Sequence, residues 1–302
     1  MKYFNAGMPD DFEEKLPELK QRTLKWQTLY HSGTEINSQA TISFHSALTD
    51  KPFGNLVLVP GLATNSKIDP LTKSITYWGL THQYNVFTID TILGDFETNV
   101  NQDNAYKYTF DETKNILHQT FQFITPYTSQ KTCIIGHCIS TILITAIFND
   151  YVKNNQKNPF YSAIFFAPWP EITEQKYTTM ETYHKILQNK PKPWDDITKA
   201  KIQHLKYVLS LYKLRHLDIQ QQFEPEIMNK WRIPVTFVAA NRDNIAPASR
   251  INTNVDILRS LPNGKYFNYL RFPHATHTFH NAYQDTYSVL QLIKSQSKKI
   301  RQ

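Results

Sequence analysis

Residues 131–145 read KTCIIGHCISTILIT, a short apolar run that enters the turn Gly136-His137-Cys138-Ile139-Ser140 and leaves it as an apolar stretch of helical character. A strand that turns sharply into a helix lifts the residue at its tip above the sheet edge, in strained backbone, with its side chain free to attack. Here that residue is Cys138. A cysteine thiolate beside a histidine and a helix N-terminus is a strong nucleophile at neutral pH. Two further groups have the types such chemistry needs. Asp243 follows the apolar run VTFVAA, in Asn241-Arg242-Asp243-Asn244-Ile245-Ala246-Pro247. An aspartate beside a proline is also a common helix cap or turn residue. Asp256 is the alternative carboxylate, placed inside a predicted helix. His274, His277 and His280 lie together in Pro273-His274-Ala275-Thr276-His277-Thr278-Phe279-His280, any of them a candidate base. The histidines have no Cys, Asp or Glu companions close by, so a metal site is not expected there.

The elements that must position these residues are legible as patterns. Residues 23–30 and 40–46 alternate apolar and polar side chains across a polar turn holding Gly33, which predicts an antiparallel pair at a sheet edge. Beyond them the runs become mostly apolar. Strands are predicted at 55–59, 84–89, 131–135, 161–166, 233–240 and 264–272, and helices at 66–80, 109–125, 139–152, 248–261 and 279–297. Residues 9–20 suit a short amphipathic helix. Apolar strands alternating with helices make a mostly parallel sheet covered on both faces. Residues 168–230 interrupt this order with five prolines and two helix-like stretches, 175–189 and 196–215. That is too long for an ordinary connection. By analogy with lid-bearing folds, the segment is expected to be a cap over the C-terminal edge of the sheet. The expected division is a core of residues 1–167 and 231–302, with a cap of 168–230 inserted in it. The cap's Trp169, Tyr177, Tyr183, Trp194, Leu205, Tyr207, Leu211 and Tyr212 suit the covering of an apolar chain or the packing of the cap itself.

The elbow and the order of elements over residues 50–295 resemble the α/β-hydrolase superfamily, and a cysteine at the tip is similar to the elbows of polyhydroxyalkanoate synthases and dienelactone hydrolases. Ser140 stands where those families carry glycine. The resemblance implies an α/β-hydrolase fold and a chain order of nucleophile, acid, histidine, which assigns the acid to Asp243. The loop's likeness to a P-x-A-x-H segment assigns the histidine to His277. An acyl-transfer site also needs N–H donors for the oxyanion. Ile139, just after the tip and at the helix N-terminus, supplies one, and the resemblance assigns the second to Leu62, after Pro60-Gly61. His137 reads as a pocket wall. A Cys138–His277–Asp243 triad would form an S-acyl enzyme and pass the acyl group to water or another acceptor. Exchange between a thioester and a thiol is nearly even in energy. The expected substrate is therefore an acyl thioester of coenzyme A or an acyl carrier protein, with esters as the alternative. The competing expectation is a non-catalytic relative that binds a ligand or partner.

Composition narrows the classes further. The chain has 302 residues and a net charge of +7, without a dense basic tract interleaved with aromatics, so nucleic acid is not an expected partner. Cys133 and Cys138 are too few for a disulfide framework and match no metal pattern, which fits a reducing, cytoplasmic setting. No secretory leader and no membrane-length apolar run are read, and the chemistry calls for no cofactor.

Overall fold

The computed structural model describes residues 21–31, 35–47, 49–61, 69–90, 110–127, 131–170, 174–193, 223–280 and 282–299. The alternating segments form β1 (Gln21–His31) and β2 (Glu35–His45), paired antiparallel along their length. The apolar runs form β3 (Gly54–Val59), β4 (Tyr84–Asp90), β5 (Thr132–His137), β6 (Ser162–Phe166) and β7 (Val235–Ala240). With β8 (Phe267–Phe272) they make one eight-stranded sheet in the order β1-β2-β4-β3-β5-β6-β7-β8. From β4 to β8 every neighbouring pair is parallel, and β1 is the antiparallel edge.

Every residue of β3, β5, β6 and β7 is buried. That is what continuous Val, Ile and Phe runs dictate, because a parallel strand has no wet face. The helices that cover the sheet are α1 (Pro70–Thr81), α2 (Phe110–Ile124), α3 (Ile139–Lys153), α4 (Glu174–Gln188), α5 (Pro225–Met228), α6 (Ala248–Ser260) and α7 (Tyr283–Lys299). They fall into two packed groups: α1 with α7, and α2 with α3, α3 with α5, α5 with α6. None is long and apolar enough to cross a membrane.

Several expected boundaries move, three of them for an identifiable local reason. The first helix begins at Pro70, because Asp69 caps it by accepting the Thr72 N–H at 2.9 Å, with Pro70 in the first turn. The last strand begins at Phe267, because Gly264–Tyr266 closes a 3-10 turn first. The last helix begins at Tyr283, because Phe279 has φ 53°, which no right-handed helix admits. The expected helices at 9–20 and 196–215, and the turn at Gly33, lie outside the described residues.

The chain re-enters the sheet, before β7, through a polar anchor on α3. Asn149 accepts the Trp231 indole N–H at 3.0 Å and donates to Glu224 at 3.0 Å, and Lys153 reaches the same carboxylate at 2.9 Å. Trp169 is buried and stacks on Phe237, with ring centroids 4.9 Å apart. It packs on the core, whereas Tyr183 on α4 is 44% exposed.

Candidate active site

The strand-to-helix turn forms as its sequence requires. β5 ends at His137, α3 starts at Ile139, and Cys138 between them has φ 56° and ψ −125°. Such backbone is strained for a residue with a Cβ, on the order of 1–3 kcal/mol, and persists only where neighbours hold it. Those neighbours are identifiable. The Cys138 N–H donates to the Phe166 carbonyl at 2.9 Å, which continues the β5–β6 ladder through the tip. The Cys138 carbonyl accepts the Thr141 N–H at 3.0 Å and the Thr141 hydroxyl at 2.6 Å.

Glycine two residues before the tip is needed for space: a Cβ on Gly136 would lie 2.7 Å from Ile144 Cδ1. Two residues after it, Ser140 does more than stay small. Its fully buried hydroxyl accepts the His137 N–H at 2.9 Å and has the carbonyls of Val59 and His137 as acceptors, each at 2.8 Å. Val59 ends β3, so this one hydroxyl ties the nucleophile turn to the strand that leads into Pro60-Gly61. Ser140→Ala is expected to destabilise the fold by about 1–3 kcal/mol, since the His137 N–H is left buried without its acceptor. Urea denaturation followed by circular dichroism measures this.

Asp243 and His277 meet where β7 and β8 end. His277 Nδ1 lies 2.8 Å from Asp243 Oδ2, and the aspartate side chain is fully buried. The other carboxylate oxygen, Oδ1, accepts the N–H groups of Ile245 at 2.7 Å and Ala246 at 2.9 Å. Burial would raise the Asp243 pKa, but the hydrogen bond and charge of His277, with those two N–H groups, hold it below its usual value. Nδ1 thus carries a proton toward Asp243. Burial would lower the His277 pKa. The charge of Cys138 nearby, with the hydrogen bond and charge of Asp243, outweighs it and pushes the pKa up to about 10.

The alternatives are placed elsewhere. His280 Nδ1 lies 2.6 Å from the Thr278 hydroxyl, and His274 is exposed. Asp256 lies on α6, where Asn252 donates to it at 2.8 Å. Cys133, inside β5, is buried, and burial pushes its thiol up to about 12. Both cysteines are free. Ile139 N–H opens α3 and is among the donors a helix cannot satisfy from within. Leu62 lies outside the described residues, but Gly61, next to it, is close: a Cβ there would sit 3.2 Å from Cys138 Cβ and 3.0 Å from His137 Nδ1. Among the described residues no group of His, Cys, Asp or Glu could hold a metal ion.

Sequence reasoning did not find what His137 does. Its Nε2 lies 2.8 Å from the main-chain carbonyl of His277, a partner 140 positions away that only the folded chain supplies.

No family model matches this chain, and no curated protein matches it. Solved structures do. A carboxylesterase from the thaumarchaeon Nitrososphaera gargenis superposes with a TM-score of 0.63 at 11% identity, covering 91% of this chain and 99% of that one. A peroxisomal α/β-hydrolase of Saccharomyces cerevisiae gives 0.59 at 13%, covering 92% and 90%. The thioesterase domain of the curacin biosynthetic pathway gives 0.55 at 12%, covering 89% and 99%. Together with the sheet order, these likenesses give the chain the α/β-hydrolase fold.

Proposed function

We propose that this protein transfers or hydrolyses acyl groups through an S-acyl intermediate on Cys138, with His277 as base and acid and Asp243 as the carboxylate that orients it. The observation that carries this reading is the 2.8 Å contact of the His277 ring with buried Asp243 Oδ2, with Cys138 at a strained strand-to-helix turn nearby. The sulfur gives up its proton to His277 Nε2 and attacks the acyl carbonyl. The S–C bond forms, and the carbonyl π electrons move onto oxygen, for which the N–H groups of Ile139 and, as the resemblance implies, Leu62 are the proposed donors. As the tetrahedral species collapses, the bond to the leaving group breaks, and His277 returns the proton to it. An acceptor, water or another nucleophile, then gives its proton to His277, attacks the acyl carbon and releases Cys138.

A cysteine favours a thioester donor, because the bond broken and the bond formed are then of the same kind. Coenzyme A or an acyl carrier protein is the donor class of first choice, and esters the second. The fold is shared with solved esterases and a thioesterase domain, which fits acyl chemistry of either kind. Residues 168–230 are proposed as a cap.

Intact-mass measurement after mixing with a panel of acyl thioesters and esters tests the reading. The expected result is a gain of one acyl group, absent in Cys138→Ala, weakened in His277→Ala and kept in Cys133→Ala. No adduct and no turnover with any donor would leave a non-catalytic α/β-hydrolase relative.

A further inference from the structure

His137 sits at the last position of β5, immediately before the nucleophile, and is 5% exposed. The group facing its Nε2 is a main-chain carbonyl, which can only accept, so Nε2 carries the hydrogen and donates it to His277 O at 2.8 Å. The neutral ring is thereby fixed in one tautomer. Its other nitrogen, Nδ1, is buried without a hydrogen-bond partner among the described residues and lies on the side toward the Gly61 backbone. The ring packs edge-on against Phe279 and lies 5.1 Å from the His277 ring. Burial, and the charge His277 carries, lower the His137 pKa, against the attraction of Asp69 and Asp243. Two adjacent charged imidazoles are thus avoided, and the single proton stays on His277.

The loop bearing His277 is held from two sides. On the acid side the Arg242 N–H donates to the Ala275 carbonyl at 3.0 Å. On the nucleophile side the hydrogen bond from His137 holds the carbonyl of the histidine itself. We propose that His137 is a positioning residue, which sets the distance between the His277 ring and Cys138 by donating from the nucleophile turn to the His277 main chain. This rests on the catalytic reading above. It assigns to the position before the nucleophile a part in keeping base and nucleophile in register while the acyl group enters and leaves.

Alkylation of Cys138 by iodoacetamide tests it, because the reagent reports the Cys138–His277 pair without any acyl donor. The groups facing that pair are Asp243, His137 and, through His137, Asp69. His137→Leu keeps bulk and removes the donor. A misplacement of about 1 Å is able to cost up to about 100-fold, so a loss of roughly 10- to 100-fold in alkylation rate at pH 7 is expected, with a changed pH profile. His137→Gln, whose amide N–H reaches the same carbonyl, is expected to restore most of the rate and the wild-type profile. His137→Asn, one methylene shorter, is expected to behave like Leu. If Leu fails to fold, judged by its thermal melt, the comparison of Gln with Asn carries the test. A wild-type rate and profile in folded His137→Leu or His137→Asn, with His277→Ala impaired, would overturn the positioning role alone. So would a folded His137→Gln as slow as Asn. Wild-type alkylation in His277→Ala would overturn the catalytic reading and this proposal with it.

Discussion

Cys138→Ala is expected to lower turnover of the preferred acyl donor by on the order of 10⁴-fold or more, the effect of removing a covalent nucleophile whose partners act as a unit. The fold is expected to survive. Alanine keeps the Cβ that the strained turn already accommodates at φ 56°, and Cys138 makes its elbow hydrogen bonds through its main chain, to Phe166 and Thr141. Melting temperature and the acyl-adduct mass, measured on the same sample, separate loss of chemistry from loss of structure. Cys138→Ser sharpens the result. A hydroxyl is not ionised near neutral pH, so it cannot supply the charge that helps hold the proton on His277. Turnover of the serine variant is expected between those of wild type and alanine. Serine at or above the wild-type rate would show that nothing in the site requires sulfur, and would remove the argument for a thioester donor. Cys133 does not confuse either measurement, because its thiol is buried and titrates at about 12.

The sheet was legible because its central strands are buried on both faces. Runs such as NLVLV, TCII and VTFVAA hold one small polar side chain each among apolar ones, and a chain that alternates such runs with helices has few solutions. Element ends were less legible where a single backbone angle decides them. Nothing in Thr278-Phe279-His280 announces that Phe279 takes φ 53°. It does so because its ring is fully buried between Phe166, Phe272 and His137. That packing is tertiary, and it outweighs the local preference for continuing a helix back to residue 279. Asp69-Pro70, by contrast, is a local start signal that the expectation of a helix from residue 66 overlooked: the aspartate caps, and proline at N1 gives up a donor that has no partner within a helix.

The same divide runs through the candidate site. Asp243 and His277, the pair that the family resemblance pointed to, lie 2.8 Å apart, since each follows its own strand at one end of the sheet. What joins the turn to its neighbours was not legible. Ser140 read as an imperfect stand-in for glycine, yet its hydroxyl has the carbonyl ending β3 within 2.8 Å. His137 read as a wall, yet it reaches the His277 main chain. Both contacts join residues at least 81 positions apart, and no spacing rule encodes them.

The His277 imidazolium is expected to persist in the wild-type protein to about pH 10, because burial, which alone would favour the neutral ring, is outweighed by Cys138 on one side and Asp243 on the other. Nitrogen-15 chemical shifts of His277 measured against pH check this. Both single variants are expected to move the titration down: Cys138→Ala by removing the neighbouring sulfur, Asp243→Asn by removing the carboxylate's charge. The second variant carries a further penalty. An asparagine that turns its amide N–H₂ toward Nδ1 requires that nitrogen to accept, which places the ring hydrogen on Nε2 and leaves no base facing Cys138. A loss on the order of 10³-fold or more in turnover is expected from this wrong tautomer, even where the fold is unchanged. The direction of the pH effect on stability follows from the same shift. A histidine with a folded pKa of about 10 against an ordinary 6.5 stabilises the protein fully below the unfolded value, and that contribution fades as pH rises toward 10. Urea unfolding at pH 6 and pH 9.5 is therefore expected to show a larger loss of stability with rising pH in wild type than in His277→Ala. Equal losses in the two, together with an ordinary His277 titration, would mean that Cys138 and His277 do not share a proton in solution.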